Sequence, residues 1–348
     1  MLFNMETDTG DRVTGYLVPD GYSEVPSIRL RSEGGEVLSL AANEIREALV
    51  VAGRHETGQC GFSVGTEHVP NLRQMTDLEI CDADTGLLVY RRPRAISIQK
   101  KILRLESHLF PLWRLDDALE SGFQYFSKGI EDYGRETVTQ LFLLNQVESI
   151  YLSGRILYKN YAYYAEAGFQ TIYLVQDPYQ EMAERLLVLS KLNAQGAGHL
   201  GLRDSVGMKA AIEFAEYLLA DDECFCDPRE LRRRLREMPD DAATTLANPL
   251  ARQLTSSTPD EMPGGGAVAA ALDLLASFAI VGIRNDSERF LDAVAELTGV
   301  DSAILPPIPR FSKVAPLAQL LQNSKQVDGL LETDLELYHY VNVAVEKL

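Results

Sequence analysis

The stretch Ser149–Ala194 constrains the fold most, because it alternates twice between a short apolar segment and an amphipathic segment of helical length. Ser149–Leu152 predicts a strand, Ile156–Ala167 a helix, and the largely apolar run Phe169–Val175 a strand buried in a parallel sheet. Asp177-Pro178 then places a capping residue and a proline where a second helix begins. A strand–helix–strand unit of this length forms a right-handed crossover in a parallel sheet, so we predict an α/β fold.

Polar side chains follow both predicted strands. Ser153 and Arg155 come after the first strand, and Gln176, Asp177 and Tyr179 come after the second. Open parallel sheets bind ligands outside the carboxyl ends of their strands. The functional site is therefore predicted at this edge of the sheet.

Composition limits the class of protein. The 348-residue chain has a formal net charge of −18 and a pI near 4.7, which disfavours nucleic acid and anionic membrane surfaces as partners. No apolar run approaches a membrane span, and the N-terminal residues lack the pattern of a signal peptide. The four cysteines (Cys60, Cys81, Cys224 and Cys226) indicate a reducing compartment, and their spacing does not predict a zinc site. We expect a cytoplasmic protein without membrane insertion or a metal site.

Residues 1–93 are predicted to form a small all-β sandwich, with six or seven short strands and polar turns. The pairs Gly15-Tyr16 and Gly61-Phe62 and the segment Glu44–Glu47 carry a resemblance to β-sandwich modules found beside bacterial surface-glycan enzymes. The basic segment Arg91–Arg94 then marks a change in composition. It predicts a boundary between this accessory domain and an α/β domain at 94–348.

The second domain alternates predicted strands and helices. A strand is predicted at 96–105 and another at 280–283, and residues 239–266 are predicted to form a long irregular loop. Predicted helices cover residues 112–126, 131–145, 204–219, 228–236, 267–279, 287–297, 313–323 and 327–347.

Three stretches of this domain carry a resemblance to a known family: 173–179, 248–254, and 272–282 followed by 288–290. Their order and spacing resemble the sulfotransferases that use 3′-phosphoadenosine 5′-phosphosulfate (PAPS), especially the carbohydrate branch. The resemblance implies a three-layer, P-loop-like parallel-sheet domain. It also implies that Gln176 and Asp177 occupy the family's 3′-phosphate loop and that Arg252 lies in its Asn–Arg segment.

The motifs that would hold the cofactor differ from the family pattern. The region 107–115, which corresponds to the loop that binds the 5′-phosphosulfate, has no lysine and no glycine and offers only His108 and Arg114 as cationic groups. Glu181 and Glu184 fall near the family's second phosphate contacts. Arg155 falls near the general-base histidine, and arginine cannot accept a proton at neutral pH. These departures predict that bulk and negative charge fill the space near His108 and Gln176.

We predict that no cofactor is bound and that the protein is a divergent sulfotransferase-like protein of bacterial surface polysaccharide biosynthesis or modification. Its expected partners are a glycan or a glycan-assembly enzyme. One alternative is an active sulfotransferase that uses PAPS at a rebuilt phosphate site, and another is a protein–protein interaction module that uses its acidic surface and the 239–266 segment. A homo-oligomer is also an open alternative.

Candidate site residues follow from these alternatives. The catalytic candidates are His108 and Arg155, and the cofactor-binding candidates are Arg114, Ser153, Gln176, Asp177 and Arg252. Structural roles compete with these assignments: Asp177 as a helix cap, and Glu181 with Arg185 as a surface pair four residues apart on a helix.

Overall fold

The structure, a computed structural model, describes residues 1–20, 24–32, 35–94, 97–195, 206–221 and 227–345, with 193–195 described by backbone alone. The chain forms two compact units. Unit 1 comprises Met1–Lys101, Glu120–Lys128 and Tyr133–Leu152, and unit 2 comprises Ile102–Leu119, Gly129–Asp132 and Ser153–Leu348. The boundary at 93/94 stays a prediction, and Cys224 and Cys226 lie outside the described residues.

Unit 1 contains two antiparallel four-stranded sheets, ordered β1-β2-β6-β5 and β4-β3-β7-β8. The eight strands are β1 (Leu2–Asp8), β2 (Arg12–Val18), β3 (Ser27–Ser32), β4 (Gly35–Ala41), β5 (Glu44–Ile45), β6 (Gln59–Gly65), β7 (Glu79–Asp82) and β8 (Leu88–Arg91), with a short helix α1 (Glu47–Val51). The β-rich character of this region is therefore confirmed.

Alternation along β3 explains why this strand was predictable. Ile28 and Leu30 are buried, whereas Arg29 and Arg31 are not. Strand β1 was not predicted, because Phe3 is its only buried side chain and no alternation marks it.

A five-stranded parallel sheet follows, with the order β10-β11-β9-β12-β13. Its strands are β9 (Lys101–Leu105), β10 (Tyr125–Lys128), β11 (Ile150–Gly154), β12 (Gln170–Val175) and β13 (Ile280–Ile283). In unit 2, β12 pairs in parallel with β9 on one side and with β13 on the other. The predicted α/β class is confirmed, while the three-layer, sulfotransferase-like identity stays a prediction.

The described residues also form helices. Beyond α1 these are α2 (Trp113–Glu120), α3 (Arg135–Phe142), α4 (Ala162–Glu166), α5 (Pro178–Gln195), α6 (Lys209–Leu218), α7 (Pro228–Arg236), α8 (Asp240–Leu246), α9 (Pro249–Thr255), α10 (Ala267–Ser277), α11 (Ser287–Thr298), α12 (Val314–Leu321), α13 (Lys325–Leu330) and α14 (Glu332–Val345). A large apolar cluster joins α5 to α6 and α12, with Leu186, Phe214 and Leu317 buried in it.

Several predicted elements were wrong. The predicted helix 327–347 consists of two helices, α13 and α14, which Leu331 separates, and the predicted strand 96–105 begins only at Lys101. The predicted helix 112–126 ends at Glu120, and its last residues enter strand β10. The predicted helix 156–167 is broken at Tyr161, whose φ of −125° separates a 3₁₀ turn from the short α4. The predicted irregular segment 239–266 contains α8 and α9.

Helices α9 and α14 cap each other, which explains why a local pattern missed α9. The Asp334 carboxylate accepts the backbone N–H groups of Leu250 and Ala251 at 2.9 and 2.8 Å. In return, Asn248 Oδ1 accepts the N–H groups of Thr333 and Asp334 at 3.0 and 3.2 Å. The caps are more than 80 residues apart in sequence, so no nearby signal marks the start of α9.

Candidate functional site

The candidate site lies in unit 2, where β9, β12 and β13 reach their carboxyl ends. Glu106, Ser107 and His108 follow β9, Gln176 and Asp177 follow β12, and Arg284 follows β13. Because β12 pairs in parallel with both other strands, these residues lie at one edge of the sheet. Of them, all but Asp177 are buried.

A buried ionic network begins at Arg104, inside strand β9. Its guanidinium binds Asp116 of α2 with two hydrogen bonds of 2.7 Å and Glu106 Oε2 with a third of 2.7 Å. Ser153 donates to Asp116 Oδ2 at 3.0 Å. All four side chains are at most 3% exposed, so these charged groups are buried at the carboxyl end of the sheet.

The Glu106 carboxylate also occupies the start of helix α2. Oε1 accepts the backbone N–H of His108 at 3.0 Å, and Oε2 accepts that of Leu112 at 2.7 Å. Burial raises the pKa of Glu106, but the neighbouring Arg104 and His108 outweigh it, so the pKa lies below its usual range. An ionised carboxylate therefore holds the N–H groups of this loop.

His108 is completely buried and linked to helix α5. Its Nδ1 lies 3.1 Å from Glu181 Oε2, and Arg185 Nε donates to Glu181 Oε1 at 2.6 Å. Burial opposes ionisation of Glu181, but Arg185 and His108 lower its pKa to about 2. Because the ionised carboxylate can only accept, His108 Nδ1 is the donor.

Gln176 and Arg284 form the neighbouring part of the site. Arg284 Nη1 donates to Gln176 Oε1 at 2.8 Å and lies 3.2 Å from Glu184 Oε2, while Nη2 donates to the Pro309 carbonyl at 2.8 Å. Burial raises the pKa of Glu184, even though His108 and Arg284 lower it. Two buried atoms of the described residues have no hydrogen-bond partner here: His108 Nε2 and Glu184 Oε1.

The structure brings some of the predicted site residues together and not others. His108, Ser153 and Gln176 are at most 1% exposed and belong to the buried networks described above. Arg155 forms a separate pair: its Nη2 lies 3.2 Å from Glu131 Oε1, and its backbone N–H donates to Glu131 Oε2 at 2.9 Å. Burial raises the pKa of Glu131 despite this arginine.

The remaining three predicted residues have different surroundings. Arg114 is exposed in the first turn of α2. Asp177 caps α5, accepting the N–H groups of Tyr179 and Gln180 at 3.1 Å each. Arg252 is buried and donates to the carbonyls of Thr244 and Thr245, which lie in the last turn of α8. Burial and the charge of Arg185 lower the pKa of Arg252 to about 10.

The sequence did not lead us to the residues at the centre of the buried ionic network, and it led us to place Glu181 at the surface. Arg104, Glu106 and Asp116 were not singled out, although a charged residue inside the apolar strand KILRL was a usable signal. The pairing of Glu181 with Arg185 was predicted correctly, but its surface position was wrong, because Glu181 is fully buried.

An exposed aromatic pair lies on two loops of unit 2. Phe110, on the loop after β9, contacts Phe311 edge to face, with ring centroids 5.0 Å apart. Phe110 is 43% and Phe311 37% exposed. By contrast, Tyr158 and Tyr161, which follow β11, are buried.

Other site types have less support. Among the described residues, no group of histidine, cysteine, aspartate and glutamate side chains is arranged to hold a metal ion. None of the described helices combines the length and apolar character needed to cross a bilayer.

No protein-family model matches the chain, and the comparisons with curated proteins and with solved structures found no match.

Proposed function

We propose that this chain is a divergent sulfotransferase-like protein that has lost PAPS chemistry and serves bacterial surface polysaccharide biosynthesis or modification. In this role it binds a glycan or a glycan-assembly enzyme. The proposal is supported by the resemblance carried by residues 173–179, 248–254, and 272–282 followed by 288–290, and by the buried carboxylates near the carboxyl ends of the strands.

One observation is the main support for the proposed loss of cofactor binding. In a phosphate-binding loop, free backbone N–H groups after the first strand point at the anion. Here the N–H groups of His108 and Leu112 are donated to the chain's own Glu106 carboxylate at 3.0 and 2.7 Å. The protein thus supplies its own anion to this loop.

The charges around this loop also do not fit a phosphosulfate group. Glu181 and Glu184 add two buried carboxylates, and Gln176 already accepts from Arg284. A phosphate about 4 Å from a carboxylate is opposed by roughly 1–4 kcal/mol at surface-like dielectric, and more in a buried site. We therefore derive no catalytic step that uses PAPS.

The positions of the catalytic candidates disfavour the active alternative. His108 is fully buried, Arg155 is paired with Glu131, and Arg114 is exposed. A rebuilt phosphate site would need these three cations to face one ligand. The exposed pair Phe110 and Phe311 instead supports a binding role, because aromatic faces stack on sugar rings and pack against partner side chains.

Calorimetric titration with 3′-phosphoadenosine 5′-phosphate (PAP) tests the proposal directly. We expect no heat of binding at millimolar PAP, and no transfer of labelled sulfate from PAPS to glycan acceptors. Micromolar binding of PAP would overturn the loss of the cofactor, and sulfate transfer would establish the active alternative.

A second experiment separates glycan binding from a purely protein partner. Wild type and a Phe110→Ser/Phe311→Ser double variant are applied to an array of bacterial surface polysaccharides, with Tyr163→Ser as a control for loss of an exposed aromatic ring. Glycan binding that the double variant loses and Tyr163→Ser keeps supports the proposal. The absence of any glycan binding, together with capture of a protein that is not a glycan-assembly enzyme, would support the interaction-module alternative.

A further inference from the structure

Unit 1 contains a cavity of about 330 Å³ that belongs to neither network described above. Its volume lies at the lower end of the roughly 300–1,000 Å³ typical of small-molecule sites. It is bordered by β1 and β8, each the outer strand of its sheet, and by residues at the start of β10 and around the end of α3. From its lining we propose that this cavity binds a neutral sugar, which deepens the proposed function and rests on the glycan-binding part of it.

Neutral amides dominate the polar lining. Five of the lining residues are amides: Asn4, Gln124, Gln140, Asn145 and Gln146. An amide offers a donor and an acceptor in one side chain, which matches a sugar hydroxyl that donates and accepts at the same atom. In the described structure the side chains of Asn4, Asn145 and Gln146 form no hydrogen bond, so their full capacity is available to a ligand.

The lining carries no charge that could recognise an ionic ligand. Arg91 is its only charged residue among those described, and its guanidinium is already bound within unit 1. Nε donates to Glu79 at 2.7 Å, Nη1 to the Phe123 carbonyl at 3.1 Å, and Nη2 lies 3.2 Å from Glu120. With two carboxylates neutralising it, this arginine favours a neutral ligand over a uronic acid or a sulfated sugar.

The same amides disfavour an extended peptide. An added strand would bind the free backbone groups of an outer strand such as β1 or β8. Gln140 Nε2 already donates to the Phe3 carbonyl at 3.2 Å, and Gln124 Nε2 to the Arg91 carbonyl at 3.4 Å. These contacts occupy carbonyls on both strands and leave the two Oε1 atoms as acceptors for hydroxyl groups.

Saturation-transfer NMR and calorimetry on the full chain provide the test. The probes are the neutral disaccharides maltose, cellobiose and lactose, a digalacturonic acid, and an uncharged hexapeptide. We expect at least one neutral disaccharide to bind. An Asn4→Ala/Gln146→Ala variant, in which both amides are lost, is expected to bind it about tenfold more weakly, which is about 1.4 kcal/mol, because the hydrogen bonds of two neutral side chains are lost.

Gln74→Ala, which removes an exposed amide of unit 1 outside the cavity, is the matched control and is expected to keep wild-type affinity. Thermal unfolding of each variant reports whether it is folded. Wild-type affinity in a folded double variant, preference for the acid or the peptide, or the absence of binding by all three neutral disaccharides would each overturn the inference. Polysaccharide binding on the array without binding of the disaccharides would overturn this inference alone, whereas PAP binding would overturn only the proposed loss of cofactor, so the failures are distinguishable.

Discussion

Glu106 Oε2 accepts the backbone N–H of Leu112 at 2.7 Å, one residue before helix α2 begins at Trp113. The carboxylate thereby lies at the positive end of the helix, where a bound anion would be stabilised by the N–H groups and the helix dipole. Because the Glu106 carboxylate binds the N–H groups of this loop, the carboxylate has a structural role. Removing it should lower the free energy of unfolding.

Glu106→Gln should destabilise the protein by roughly 1.5–3 kcal/mol, because the amide has one acceptor oxygen in place of the ionised carboxylate that accepts from Arg104, His108 and Leu112. The free energy of unfolding from urea titration measures this. Glu148→Gln is the matched control: Glu148 is 72% exposed and 3.8 Å from Lys101, so a change within about 0.5 kcal/mol is expected. Equal effects of the two substitutions would contradict the network as described.

Asp334 should make the protein less stable as the pH rises, because the pKa of its carboxyl group is higher in the folded protein than in the unfolded chain. Burial and the negative charge of Glu181 raise the pKa of Asp334 to about 6. The N–H groups of Ala251 and Leu250 and the charge of Arg185 lower this pKa, but burial outweighs them. The unfolded pKa is about 3.9, so the folded state binds this proton more tightly. The resulting stabilisation is complete below about pH 3.9 and is lost as pH rises through about 6, a change of roughly 3 kcal/mol.

The Asp334→Asn variant isolates this contribution, because the amide does not titrate. Urea unfolding of both proteins between pH 4.5 and 7 should show a smaller loss of stability with rising pH in the variant. Parallel curves over this range would rule out a raised pKa at Asp334.

Arg252→Leu should lower the free energy of unfolding by about 1–3 kcal/mol, because the carbonyls of Thr244 and Thr245 lose their donor. Arg229→Leu, which removes an exposed arginine of α7, should change it by no more than about 0.5 kcal/mol. A variant at Arg252 that keeps its stability but loses a nucleotide ligand would instead restore the cofactor-binding assignment of Arg252.

Gly282→Ala tests the packing of β13 against α11. The new Cβ would lie 2.5 Å from Phe290 Cδ2 and 2.8 Å from Phe290 Cβ, so overpacking should cost about 1–3 kcal/mol. Gly329→Ala adds the same methyl group to helix α13, where no atom lies within 4 Å, and should stabilise by about 0.4–1 kcal/mol. Thermal and urea unfolding of both variants should therefore change in opposite directions.

Local patterns predicted the elements whose signal lies within a few residues. The apolar run of β12 predicted a strand, because a strand buried on both faces needs apolar side chains throughout, and the apolar run 280–283 likewise predicted β13. Asp177 and Pro178 predicted the start of α5, because capping is decided by the first turn itself. The break at Tyr161 and the strand at 125–128 carry no comparable local signal and were missed.

The sequence by itself determined that parallel strands would end in polar residues at one edge, since hydrophobic periodicity and capping are properties of neighbouring residues. Only the tertiary structure decided which charges meet there. His108 and Glu181 are 73 residues apart in sequence, and Gln176 and Arg284 are 108 apart. Burial of such groups is tolerated only when their partners are present, and no local pattern states which distant residue supplies the partner.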